Sequence, residues 1–232
     1  MSISNQTRSQ IKRLGEPLAL ALGRAGLTPN GLTVAGFAIT AVGAVLLANQ
    51  LWLAGGLVVF GGGLFDLFDG TLARATGRVS RFGAFLDSVF DRWGEALVYV
   101  GLVAGLHASG WANAPIFAAA AMAGAFLVSY VRAKAEGMGF SSGTGMAAVG
   151  IMPREIRLVI LCGGLVLGGL IGADLVVPEG GFHGAGGAAL PLGMLVIEGS
   201  LAIIAVGAAI TVVQRVLHVR AQAVGEAGNR AS

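Results

Sequence analysis

Long apolar runs constrain the fold of this chain more than any other feature. Six such runs cover residues 31–50, 52–72, 82–106, 113–131, 156–173 and 190–213. Each is close to the ~20 residues that an α-helix needs to cross a bilayer. A transmembrane β-barrel would instead show alternating segments of about ten residues. The runs therefore predict an all-α integral membrane protein with six transmembrane helices.

The overall composition supports this environment. Hydrophobic residues make up 55% of the chain and charged residues only 12%, whereas a typical soluble domain is about 25% charged. The 39 glycines suit helices that pack closely in lipid, where small residues form the interfaces. We expect membrane lipid around the chain and no nucleic-acid partner.

The distribution of positive charge predicts the orientation in the membrane. Lysine and arginine residues precede the first run, lie between the second and third and between the fourth and fifth, and follow the sixth. The alternate connections, at about 50–52, 107–113 and 174–189, contain none. Because cations accumulate on the cytoplasmic side, we expect both termini and the cation-bearing loops to face the cytoplasm.

The two ends of the chain differ from its apolar centre. Four apolar residues recur at helical spacing near the N-terminus: Ile11, Leu14, Leu18 and Leu22. Together with nearby cations they predict an amphipathic juxtamembrane helix over 1–26, which either leads into the membrane or also grips anionic lipid. Residues 27–220 then form the six-helix transmembrane domain, and 221–232 a polar C-terminal tail.

Four aspartates interrupt the second and third apolar runs. Asp66 and Asp69 are three residues apart, and Asp87 and Asp91 are four apart, so each pair shares one helical face. The short connection between these runs predicts antiparallel neighbours. We therefore expect the four carboxylates to converge near the cytoplasmic ends of their helices.

A group of carboxylates at a membrane needs a cation beside it, because unpaired charges there are strongly unfavourable. Hard divalent cations prefer oxygen ligands and leave coordination positions for phosphate oxygens. Zinc is disfavoured, because the three histidines and the one cysteine lie elsewhere in the chain. The aspartates therefore predict a site for Mg²⁺ or Mn²⁺.

The aspartates also belong to a recognisable motif. Its full form is Asp66-x2-Asp69-Gly70-x2-Ala73-Arg74-x8-Gly83-x3-Asp87-x3-Asp91. This motif matches, at every specified position, the signature of the CDP-alcohol phosphotransferase family of integral membrane enzymes. The six-run layout and the stretch Thr28-Pro29-Asn30-x-Leu32-Thr33 resemble that family too. The resemblance implies transfer of a substituted phosphate from a CDP-linked donor to an alcohol, with release of CMP, in a homodimer.

The resemblance also implies roles for individual residues. Asp66, Asp69 and Asp87 would be the main ligands of two metal ions, and Asp91 would be both a metal ligand and the catalytic general base. The CDP-binding residues would be Asp69, Gly70, Ala73 and Arg74. Tight helix packing is the alternative reading for the glycines, since it needs the same small residues.

Two further stretches bear on the acceptor alcohol. The segment SYVRAKAE, residues 129–136, ends the fourth run, and Arg154-x2-Arg157 opens the fifth. Their cations suit a phosphorylated acceptor, although ordinary cytoplasmic flanking charge would give the same pattern. Both stretches resemble the branch of the family that uses inositol phosphate, with Pro153 where many members have an acid. The residues implied to hold the acceptor phosphate are Arg132, Lys134, Arg154 and Arg215.

Three alternative functions are compatible with these residues and with the resemblance. The favoured one transfers a phosphatidyl group from CDP-diacylglycerol to inositol phosphate, giving phosphatidylinositol phosphate and CMP. The nearest alternative is a phosphatidylglycerophosphate synthase, whose phosphorylated acceptor is glycerol 3-phosphate. An ion channel or transporter is a remote alternative, because intramembrane acids also mark ion pathways.

Overall fold

The computed structural model of the chain is helical throughout most of its described length. It describes residues 17, 20–140, 146, 149–172, 176–177 and 190–231. The long helices are α1 (Pro29–Ala48), α2 (Trp52–Ala75), α3 (Arg81–Ala108), α4 (Ala114–Gly137), α5 (Arg154–Ile171) and α6 (Leu192–Ala231). The only strands among the described residues are β1 (Val176–Val177) and β2 (Leu190–Pro191), which pair antiparallel. The all-α prediction is confirmed.

Each of the six apolar runs forms most of one long helix. By length and composition, four helical stretches in the described part of the chain can cross a membrane: α1, α2, α4 and residues 192–225 of α6. In contrast, α3 carries four charged residues within positions 87–95, namely Asp87, Asp91, Arg92 and Glu95. The first turn of α5 holds two arginines and a glutamate. The chain is thus a membrane protein, whereas membrane crossing by α3 and α5 stays a prediction.

The predicted leading helix over 1–26 falls mainly outside the described residues. Residues 17 and 20–24 are helical, and Leu22 packs against a buried pair formed by Leu32 and Leu72. At the other end of the chain, α6 continues through most of the segment predicted as a polar tail.

The helices form two compact units, residues 1–109 and residues 110–232. In the first unit, α1 packs against both α2 and α3. In the second unit, α6 packs against both α4 and α5. The two helices that carry the aspartates therefore share α1 as a packing partner. In the described part of the chain they pack mainly on α1 and not on each other, so the predicted direct pairing of α2 and α3 is not seen.

Glycine allows the backbones of the first unit to approach closely. A Cβ added at Gly101 or Gly105 of α3 would collide with the carbonyl oxygens of Ala44 and Leu47 in α1. A Cβ at Gly62 of α2 would likewise meet α1. Small residues at helix interfaces serve this purpose in membrane proteins, so the packing reading holds for these glycines.

Side-chain caps determine where α1 and α3 begin. The Thr28 hydroxyl accepts a hydrogen bond from the backbone N–H of Gly31 at 3.1 Å, and Pro29 occupies the first turn of α1. The Ser80 hydroxyl accepts from the N–H of Gly83 at 2.9 Å at the start of α3. The cap of α3 thus bonds directly to Gly83 of the aspartate motif.

Candidate active site

Asp69 is the most deeply buried of the predicted site aspartates, with 5% of its surface exposed. Its Oδ2 atom accepts a hydrogen bond of 2.6 Å from the hydroxyl of Thr33 on α1. Asp66 and Asp87 lie close enough to interact electrostatically with Asp69. The structure therefore brings at least three of the four predicted aspartates near one another within the first unit.

Asp66 faces a glycine of α1. A Cβ added at Gly36 would lie 3.0 Å from Oδ1 of Asp66 and 3.2 Å from the carbonyl oxygen of Gly62. Gly36 is itself buried. A larger residue at this position would displace the carboxylate, so Gly36 makes room for Asp66.

Asp91 lies next to an ion pair on the same helix. The guanidinium of Arg92 pairs with Glu95 through NH1, and its NH2 atom lies 3.7 Å from Oδ2 of Asp91. The side chains of Asp91 and Arg92 are 16% and 26% exposed. The predicted general base thus sits beside a cation that another carboxylate already holds.

The small residues of the motif lie next to polar groups. The NH1 atom of Arg74 is 3.3 Å from the position that a Cβ on Gly70 would occupy, and its NH2 atom donates to the Thr71 hydroxyl at 3.4 Å. A Cβ on Gly83 would lie 3.1 Å from Oδ1 of Asn30. Among the predicted CDP-binding residues, Arg74 is exposed, whereas Gly70 and Ala73 are half-buried.

The aspartates fit a divalent cation by ligand type, because all their donor atoms are carboxylate oxygens. Among the described residues, however, no three histidine, cysteine, aspartate or glutamate side chains are grouped closely enough to hold a metal ion. Oδ2 of Asp69 accepts a hydrogen bond from Thr33, which is compatible with a ligand role because ligating carboxylates are commonly hydrogen-bonded as well. The metal-ligand roles of Asp66, Asp69, Asp87 and Asp91 remain predictions.

The predicted acceptor-binding cations lie in the second unit. Arg215 of α6 is 3% exposed, and its guanidinium donates to the carbonyl oxygens of Val149, at 3.0 Å, and Val128. Arg132 and Arg157 lie close enough to interact electrostatically with Arg215. The carboxylate of Glu136 also lies within electrostatic range of Arg215. We call Arg132, Arg157 and Arg215 the arginine cluster.

The members of this cluster differ in their surroundings. Arg132 is exposed and pairs with Glu136, with 2.9 Å between Nε and Oε1. Arg157 is 2% exposed and donates to the carbonyl oxygen of Met152 at 3.1 Å. Lys134 is exposed near the end of α4, and Arg154 is the half-buried first residue of α5.

The sequence predicts no individual contact for two buried residues, Thr33 and Arg157. Thr33 was noted only as part of the family stretch, although a threonine within that stretch was a signal. Arg157 is one of the cations that the sequence predicts to suit a phosphorylated acceptor, but spacing alone does not show that its side chain is buried. The hydroxyl of Thr33 donates to Asp69, and the guanidinium of Arg157 donates to the carbonyl oxygen of Met152.

Comparison with known proteins identifies the family. Residues 26–172 match the family model of CDP-alcohol phosphatidyltransferases. The chain therefore belongs to this family of membrane transferases, as the motif predicted. Family membership also argues against the channel or transporter reading.

Two relatives within this family are similar to most of the chain. The archaetidylinositol phosphate synthase of Pyrococcus horikoshii is 35% identical over 157 residues, which cover 68% of this chain and 79% of that protein. The phosphatidylinositol phosphate synthase of Mycobacteroides abscessus is 36% identical over 173 residues, covering 72% of this chain and 75% of the relative.

Solved structures show the same likeness. The phosphatidylinositol phosphate synthase of Mycobacterium tuberculosis with CDP-DAG bound has a TM-score of 0.70 and 29% identity, and the match covers 89% of this chain and 94% of that one. The same enzyme in complex with manganese and citrate has a TM-score of 0.71 and 28% identity, with 88% of each chain covered.

Proposed function

We propose that this chain transfers the phosphatidyl group of CDP-diacylglycerol to a hydroxyl of inositol phosphate, giving phosphatidylinositol phosphate and CMP. The observation that carries the proposal is the arginine cluster of the second unit. Two of its members are almost fully buried and lie within electrostatic range of each other. Like charges in such a place favour an anion, and guanidinium groups bind phosphate through paired hydrogen bonds.

The donor binds at the first unit in this proposal. Arg74 pairs with a phosphate of the CDP moiety, and Gly70 and Ala73 allow the nucleotide to approach the backbone of α2. The aspartates Asp66, Asp69, Asp87 and Asp91 hold two Mg²⁺ or Mn²⁺ ions, a proposal supported by the manganese in the mycobacterial relative. When bound, the cations neutralise the diphosphate and assist departure of CMP.

The reaction is a displacement at the phosphorus that carries the diacylglycerol. Asp91 removes the proton from the acceptor hydroxyl, and the hydroxyl oxygen forms a new bond to this phosphorus. The bond between the phosphorus and the bridging oxygen of the diphosphate breaks, and CMP leaves with the electron pair. A positioned base of this kind contributes about 10² to 10⁴ in rate.

The acceptor phosphate is held by cations of the second unit, namely Arg132, Lys134, Arg154 and Arg215. Two donor groups of Arg215 already bond to backbone carbonyls, and a guanidinium has five N–H donors in all. Arg215 therefore anchors its own position while its charge acts on the acceptor.

A phosphatidylglycerophosphate synthase is the second candidate, because a cluster of cations recognises a phosphate and not an inositol ring. Glycerol 3-phosphate offers the same phosphate group. The relatives named for inositol-containing products favour inositol phosphate.

The proposal includes an orientation and an assembly. Both termini and the active site face the cytoplasm, as the distribution of cations predicts, and the family resemblance implies a homodimer.

Identification of the lipid product tests the function. Purified protein is given CDP-diacylglycerol, Mg²⁺ and an equimolar mixture of inositol phosphate and glycerol 3-phosphate, and the lipids are analysed by mass spectrometry. We expect phosphatidylinositol phosphate as the main product. Phosphatidylglycerophosphate as the main product would transfer the chain to the second candidate function.

A further inference from the structure

Three side chains form hydrogen bonds with the backbone of Ile151 and Met152, in the short segment that precedes α5. The backbone N–H of Ile151 donates to Oε1 of Gln214 at 3.2 Å, and the N–H of Met152 donates to the hydroxyl of Thr211 at 2.9 Å. The carbonyl oxygen of Met152 accepts from NH1 of Arg157 at 3.1 Å. Both backbone polar groups of Met152 are thus bonded to side chains of two different helices.

Thr211 is oriented for this contact by its own helix. Its hydroxyl donates to the carbonyl oxygen of Gly207, one turn earlier in α6, at 2.9 Å. Because a hydroxyl has a single hydrogen to donate, the oxygen must act as the acceptor towards Met152. Thr211 is fully buried, so water does not compete for this bond.

The surrounding shape fits the same arrangement. Gly150 has a φ of +113°, a backbone conformation that favours glycine, and a Cβ there would collide with Thr211. A Cβ on Gly207 would collide with the side chain of Met152. Residues 150–152 therefore pack directly against α6, with Gly150 next to Thr211 and Met152 next to Gly207.

The backbone position of Met152 constrains the backbone position of Arg154, two residues later. Pro153 stands between them as the N-cap of α5, with φ −65° and ψ 169°, and its ring restricts rotation about φ. The carbonyl oxygen of Pro153 accepts from the backbone N–H of Arg157 at 3.1 Å. Arg154 is the first residue of the helix, so its backbone follows from where Met152 is held.

We propose that Thr211, with Gln214 and Arg157, is a positioning residue for acceptor binding: it fixes Met152 and thereby places Arg154 for the acceptor phosphate. The inference rests on the proposed function of Arg154. According to this proposal, the buried and uncharged Thr211 affects the KM for the acceptor and leaves the KM for the donor unchanged.

The experiment compares Thr211→Val, Thr211→Ser and the wild type. Valine has nearly the shape of threonine but leaves the N–H of Met152 without its partner, whereas serine keeps the hydroxyl. Ser200→Ala is the matched control, because Ser200 also lies on α6 and donates to the carbonyl oxygen four residues earlier, Val196. For each protein, KM is measured for CDP-diacylglycerol and for the phosphorylated acceptor that the wild type uses, and amide hydrogen exchange is followed at Ile151 and Met152.

We expect Thr211→Val to raise the acceptor KM about tenfold, which corresponds to one lost buried hydrogen bond. The donor KM should stay within about twofold, Thr211→Ser and Ser200→Ala should resemble the wild type, and exchange at Met152 should accelerate only in the valine variant. An unchanged acceptor KM, an equal rise in both KM values, or a serine variant as impaired as valine would overturn the proposal.

Two further arms keep the test decisive. If Thr211→Val does not fold, Gln214→Leu removes the bond to Ile151, and an unchanged acceptor KM in that variant would overturn the proposal. If the wild type turns over glycerol 3-phosphate and not inositol phosphate, the proposed function fails, yet the same KM comparison with glycerol 3-phosphate still decides the role of Thr211.

Discussion

The hydroxyl of Thr33 donates a 2.6 Å hydrogen bond to Oδ2 of Asp69, and each residue is 5% exposed. This bond links α1 to the helix that carries the first half of the aspartate motif. It orients a carboxylate that we propose as a metal ligand, and such outer partners typically affect metal affinity or activity 10- to 100-fold, an order-of-magnitude range.

Thr33→Val should therefore lower kcat/KM for CMP release by about tenfold or more, while Thr33→Ser should retain most of it. Loss of the partner of a buried group also destabilises the fold by about 1–3 kcal/mol, so thermal unfolding in detergent should shift in the valine variant. Equal activity in the wild type and Thr33→Val would show that this bond does not prepare Asp69.

Asp91→Asn should retain binding of CDP-diacylglycerol yet lose turnover by about 10² or more, because asparagine cannot accept the proton. Nucleotide binding is measured by calorimetry with CDP, and turnover by CMP release. Normal turnover in this variant would remove Asp91 from the role of general base.

Neutralising Arg132 or Lys134, as Arg132→Gln or Lys134→Gln, should raise the acceptor KM more than the donor KM, because their charges are proposed to attract the acceptor phosphate. Stability should change little, since the exposed pair of Arg132 with Glu136 contributes roughly 1 kcal/mol or less. Arg220→Gln is the control, because this arginine is exposed on α6 and outside the arginine cluster. Equal effects on both KM values would argue against phosphate anchoring.

Gly105→Ala should destabilise the first unit, because its Cβ would collide with the carbonyl oxygen of Leu47. Overpacking of this kind typically lowers stability by about 1–3 kcal/mol. Gly61→Ala is the matched control, since a Cβ there meets nothing within 4 Å. Thermal unfolding of the two variants in detergent checks the prediction, and equal unfolding temperatures would contradict the close packing of α1 and α3.

The sequence predicted the helices well because an apolar run in lipid must satisfy its backbone hydrogen bonds internally, and a helix does so. It also predicted Asp66, Asp69 and Asp87 as neighbours, because spacing places each pair on one helical face and the short connection keeps the two helices near each other. Spacing says nothing about contacts between distant segments, however. The bond from Thr33 to Asp69 and the burial of Arg157 both depend on how helices pack, and no local pattern encodes that packing.

The segment that precedes α5 also depends on contacts that a local sequence pattern does not reveal. Pro153 departs from the pattern of many family members, and no local sequence pattern places the side chain of Arg154. In the structure this proline begins α5, and the residue before it is bonded to Thr211 and Arg157. The contacts that hold this segment come from residues five positions later and about sixty positions later in the chain, so only the fold brings them together.

The most direct test of the central claim is acceptor-dependent CMP release by the purified protein with CDP-diacylglycerol. Inositol phosphate, glycerol 3-phosphate and free inositol are compared, each with Mg²⁺ and with EDTA. We predict release that requires both inositol phosphate and Mg²⁺ and that returns when the metal is restored. Release that is equally fast with free inositol, or that persists in EDTA, would contradict a metal-dependent transfer to a phosphorylated acceptor.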